Sequence, residues 1–126
     1  MIYSDKALKA KVWLSNLAEK NGWNKPNKFD LENTSMAGSK RFNYPAGNGE
    51  QDVLFQCVPP FDSDSNYLLV ASFTFFSGDV NLLGAHCFKV DSRIDHKEIE
   101  VAFNQHLIEV EKIINSSSEM TYQRAS

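Results

Sequence analysis

Apolar residues recur along the first stretch of the chain at helical spacing. Ala7, Ala10, Leu14, Leu17 and Ala18 form a stripe, with Trp13 on its flank. Ser4 can accept a hydrogen bond from the free amides of a first turn, and Asp5 places negative charge at the positive end of the helix dipole. Asn21-Gly22 is a stop signal, because glycine tolerates the left-handed backbone that ends helices. The pattern predicts a helix from about Ser4 to Asn21. Residues 23–40 are polar and contain Pro26, and the alternation of Phe29 with Leu31 predicts a short edge strand there. Phe42 and Tyr44 alternate with Arg41 and Asn43, Pro45 to Gly49 is turn chemistry, and Val53 to Val58 reads as the next strand. Pro59-Pro60 closes that strand, since proline cannot donate to a ladder.

Two long apolar runs, at about 67–77 and 80–90, flank Ser77-Gly78-Asp79 and predict a hairpin. With Gly78-Asp79 as the loop, Tyr67, Leu69, Ala71, Phe73 and Phe75 share a face with Leu82, Gly84, His86, Phe88 and Val90. This face is nearly all apolar and is expected to cover the core. The other face carries Leu68, Val70, Ser72, Thr74 and Phe76 beside Leu83 and Cys87, a mixed set expected to be half-solvated or a contact surface.

The last element is predicted as a helix from Asp95 to about Asn115, with Asp95 as cap and Glu98 three residues on. Ile99, Ala102, Phe103, Leu107, Val110, Ile113 and Ile114 fall within one arc, and residues 116–126 read as a polar, loosely held tail. The order implies one α+β domain over residues 1–126. An antiparallel sheet of three to five strands carries the terminal helices in a two-layer arrangement. That order is similar in layout to type III secretion chaperone-like and profilin-like domains, with no residue motif behind the likeness.

Composition changes this picture little. At 126 residues, with 42 % hydrophobic and 23 % charged positions, the chain is sized for one ordinary core. No apolar run reaches the ~18 residues of a membrane span. The start has no secretory pattern, and the two cysteines, Cys57 and Cys87, give no disulfide framework, so the cytoplasm is the expected location. The net charge of −3 is divided unevenly. Residues 1–47 hold eight basic and four acidic side chains, and residues 48–126 hold five and twelve. Lys25, Lys28, Lys40 and Arg41 interleave with Trp23, Phe42 and Tyr44, the ingredients of a single-strand nucleic-acid site. An acidic chain with no recognisable module argues against that partner.

Searches for phosphate loops, dinucleotide fingerprints, nucleophile elbows and paired cysteines return nothing. Asp62, Asp64 and Asn66 copy the start of a calcium loop, but Tyr67 and Phe73 occupy the positions that need glycine and glutamate. No metal and no cofactor are therefore expected. Two histidines remain. His106 projects into the apolar arc of the last helix, and His86 lies on the hairpin's expected core face.

The expected function is that of a small non-catalytic protein-interaction module of the chaperone, immunity or inhibitor kind, whose partner is another protein or a second copy of itself. Its candidate contact residues are Val101 and Ile108, seven apart on the outer pole of the last helix, with Leu68, Val70, Phe76 and Leu83 of the hairpin. The alternative is a small-ligand binder whose apolar pocket, between sheet and last helix, is lined by His86, His106, Ala71, Gly84 and Phe73. A third reading is an enzyme centred on His86 and His106.

Overall fold

The computed structural model describes residues 3–44, 49–59, 67–76, 79–91 and 95–125. Helix α1 (Asp5–Lys20) is capped by Ser4, whose Oγ accepts the Ala7 amide at 3.1 Å. At its other end Gly22 adopts φ 90°, a left-handed conformation. The amides of Gly22 and Trp23 then return to the carbonyls of Glu19 and Ala18. These paired bonds satisfy carbonyls that the helix leaves open, and they aim Trp23 back into the core.

The edge strand expected around Phe29 and Leu31 is a short helix, α2 (Lys28–Asn33). Asn27 caps it, accepting the Asp30 amide at 2.8 Å. Residues two apart share a face in a strand but diverge in a helix. Accordingly Leu31 is buried while Phe29 is 68 % exposed.

Strands β1 (Met36–Tyr44), β2 (Gly49–Val58), β3 (Tyr67–Phe76) and β4 (Asp79–Lys89) form one antiparallel sheet in the order β1-β2-β3-β4. Helix α3 (His96–Ala125) starts where Asp95 Oδ1 accepts the Lys97 amide at 2.9 Å. Its backbone continues through residues 116–125, which the sequence reading treats as a tail. Of the expected arc, Phe103, Leu107, Val110 and Ile114 are buried, whereas Ala102 and Ile113 at its margins are exposed.

The hairpin is present, with a different register. Phe76 pairs with Asp79, so the turn sits one residue earlier than Gly78-Asp79. Pairing then shifts between Ser72 and Phe73: Phe73 faces Leu82, Ser72 faces Gly84, and Leu83 between them has no partner. Such a bulge exchanges odd for even positions across the ladder. Beyond it Val70 pairs with His86 and Leu68 with Phe88. At His86 and Phe88 the core face of β4 is the expected one. On β3 it is the opposite face: Leu68 and Val70, expected on the contact surface, are 0 % exposed, and Leu69 is 44 % exposed.

One core lies between this sheet face and the two long helices. Val53, Phe55 and Cys57 of β2, Leu68 and Val70 of β3 and Phe88 of β4 meet Leu14 and Leu17 of α1. Phe103, Leu107, Val110 and Ile114 of α3 complete it. Buried polar atoms on β3 are satisfied: Thr74 Oγ1 donates to the Asp52 carbonyl at 2.9 Å, leaving Ser72 for a side-chain partner. The register makes a direct prediction. Leu68→Ala should cost about 2–5 kcal/mol, as for other fully buried leucines, while Leu69→Ala stays within roughly 0.5–1 kcal/mol. Urea unfolding of both variants measures the difference, and equal losses would contradict the bulge.

Candidate functional site

His86 and His106 meet, as their positions in the sequence suggest. Their rings lie 4.5 Å apart between centroids in an edge-to-face arrangement at 78°. Phe88 stacks on His86 at 5.9 Å, and Phe103 on His106 at 6.4 Å. The register brings in a third residue that the sequence reading placed on the other face. Ser72 Oγ lies 2.8 Å from His106 Nε2. Burial pushes the His106 pKa down to about 4, the neighbouring His86 acts in the same direction, and Glu109 opposes them. His106 is therefore neutral at pH 7, with one ring nitrogen donating and the other accepting.

A serine against a neutral imidazole has the form of a nucleophile and its base. Here both are sealed: Ser72 is 0 % and His106 1 % exposed. Among the described residues no carboxylate hydrogen-bonds to the His106 ring. What this geometry does is join β3 to α3 through a satisfied buried hydrogen bond. The five residues expected to line a pocket here do not all share one side of the sheet. His86 faces Val70, and aromatic rings of Phe88, Phe103 and His106 occupy the space beside it. Ala71 and Phe73 turn to the opposite side of the sheet, because they alternate with Val70, Ser72 and Thr74, which face the helices. Gly84 pairs with Ser72.

A second buried polar group went unread in the sequence. Lys11 is 0 % exposed, and its ammonium donates to the carbonyls of Asp30 at 3.2 Å, Leu31 at 2.7 Å and Thr34. It closes the open carbonyl end of α2 and lies 4.6 Å from the Tyr3 ring centre. The Tyr3 hydroxyl bridges the Thr34 carbonyl at 3.0 Å and the Cys57 carbonyl at 2.5 Å. Desolvation lowers the pKa of Lys11, while Cys57 and Asp30 act to raise it. Desolvation also raises those of Tyr3 and of Cys57, the thiol to about 12. A buried thiol with that affinity for its proton is no nucleophile. The signal was available: Lys11 falls between Ala7 and Leu14 on the apolar arc of α1.

The basic residues Lys25, Lys28, Lys40 and Arg41 have intramolecular partners, and the side chain of Tyr44 lies outside the described residues. Trp23 is core, 5.7 Å from the Phe55 ring. Lys40 pairs with Glu111 at 2.9 Å, Arg41 with Asp52 at 3.0 Å, and Lys25 donates to Asn16. Asp62, Asp64 and Asn66 lie outside the described residues, as do the side chains of Phe76 and Leu83. Among the described residues no three His, Cys, Asp or Glu side chains come together to hold a metal ion.

Two surfaces and a half-enclosed cavity stand out among the described residues. Val101 and Ile108 are 69 % and 49 % exposed on α3, on the pole expected from the sequence. The outer face of the sheet carries Leu54 and Val58 of β2, Leu69 and Phe73 of β3 and the exposed Cys87 of β4. The cavity lies between α1, the end of β4 and the start of α3.

The buried histidine yields a pH prediction. Folding lowers its proton affinity, so the unfolded chain takes up a proton that the folded chain excludes between about pH 6.5 and about pH 4. Stability is fully present above that window and declines as pH falls through it. His106→Leu, which strands the Ser72 hydroxyl, should cost about 1–3 kcal/mol at pH 7 and flatten the acid-side decline. Melting temperatures of both proteins from pH 7 to pH 4 check this, and parallel curves would contradict it.

Compared with protein-family models, with curated proteins and with solved structures, the chain finds no match.

Proposed function

We propose that this chain is a non-catalytic protein-binding module that takes its partner on the outer face of the sheet. One observation carries the reading: the more apolar side of β3 points away from the helices. Its core side includes Ser72 and Thr74, whereas its outer side runs Tyr67, Leu69, Ala71 and Phe73. Across the strands Leu69 stands opposite Val58 and Cys87, and Leu54 stands opposite Phe73. Both long helices pack on the other face.

Open sheet faces normally carry polar alternation, and a contiguous apolar patch marks a contact surface. Leu69 is central to the patch and the most open of its large residues. On the helix side, the exposed Val101 and Ile108 offer a smaller second surface. The burial of Ser72 and His106 supports a non-catalytic reading. No helix among the described residues is long and apolar enough to cross a membrane.

The partner is another protein or a second copy of this chain, and Leu69→Glu tests both. An exposed position accepts the charge without loss of fold. Light scattering at several concentrations and two salt levels should show association of the native chain that Leu69→Glu abolishes. If the native chain stays monomeric, selection from displayed peptides should enrich apolar sequences on it and not on Leu69→Glu. Indifference to the substitution in both measurements would defeat the proposal.

A further inference from the structure

The cavity between α1, β4 and α3 stands apart from the outer sheet face. It forms where β4 ends and the chain leaves the sheet for α3, so that Phe88 and Val90 form one wall. Ala10, Trp13 and Leu14 of α1 form another, and Ile99 of α3 a third. Leu14 and Phe88, which line it, also belong to the buried core. The volume is about 280 Å³, and the space is half enclosed. An apolar chamber of this kind offers water few partners and favours an apolar occupant.

Charge at the mouth narrows the choice of occupant. Lys6 and Lys9, one turn apart on α1, and Lys89 at the end of β4 all line the cavity, against the single carboxylate of Asp91. The three lysines come from two elements, although the chain as a whole is acidic. Flexible lysine stems can lie along the apolar walls while their charges reach an anion at the entrance. Trp13 presents a flat wall braced by His96, with the two rings 4.9 Å apart.

From this we infer that the cavity binds a small amphipathic anion, a medium-chain alkyl carboxylate. The tail lies against Trp13, Leu14, Phe88 and Ile99, and the carboxylate sits among Lys6, Lys9 and Lys89. A volume just below the roughly 300–1,000 Å³ of drug-sized ligand sites sets the length of the tail. The lysines select the anion over an uncharged alcohol of equal length.

Decanoate below its micelle concentration is the probe, with decanol as the uncharged control. Isothermal titration should show saturable binding of one decanoate, accompanied by a change in Trp13 fluorescence. Decanoate should bind roughly tenfold more tightly than decanol, and less so at high salt. Ala10→Leu, which fills the chamber from a helical position, should remove binding of both. Replacing Lys6, Lys9 and Lys89 together by Gln leaves the chamber intact, so decanol binding should persist while the preference for decanoate disappears. The inference is overturned if the native chain shows no saturable decanoate binding, if decanol binds equally well, or if decanoate binding survives both sets of substitutions.

Discussion

Phe55 is the side chain on which the arrangement of elements turns. It is 0 % exposed, in the middle of β2, and its ring meets Trp23 at 5.7 Å and Phe103 at 5.4 Å. On the neighbouring strand a Cβ at Gly38 would stand 2.2 Å from it, so only glycine lets β1 pass beside the ring. The terminating turn of α1, the bulged start of β1 and the middle of α3 thus converge on one residue. Across the sheet Phe55 pairs with Ser72, which holds His106. The orientation of β3 and the buried hydrogen bond to α3 both follow from that alignment.

Because both helices use the same sheet face, the polar atoms trapped beneath them need internal partners. Two solutions appear. Lys11 surrenders its hydration for the carbonyl end of α2 and ties the N-terminal region together. His106 remains neutral and takes Ser72. Each group costs free energy when left alone in a low-dielectric core and contributes orientation once its partner is present. Lys11 thus joins α1 to α2, and His106 joins α3 to β3.

The one-sided packing also leaves the apolar surfaces on which function is proposed. A single layer of helices cannot cover both sides of a sheet, and β3 is apolar on both. The cavity has a different origin: α1, β4 and α3 separate where β4 ends, and their apolar side chains do not meet there. One surface is broad and suits a macromolecule, and the other is deep and suits a small amphipath.

The chain's own pattern determined the elements with strong local signals. Helix α1 was legible from Ser4 to Gly22 because its cap, its stripe and its stop are all local chemistry. The start of α3 was legible at Asp95, and the hairpin from two apolar runs about a turn. His106 could be placed toward the core from periodicity, whereas the placement of His86 came from a hairpin register that set it opposite Ala71 and not Val70. Tertiary structure decided the rest. Two residues, Phe29 and Leu31, do not separate a strand from a single helical turn until Asn27 caps the turn and Leu31 packs. The face of β3 could not be read because one unpaired residue, Leu83, exchanges inside for outside, and both faces of β3 are apolar enough to bury. Ser72 and the lysine-rimmed cavity escaped for the same reason. Each depends on groups brought together from distant parts of the chain, and periodicity carries information only about neighbours within an element.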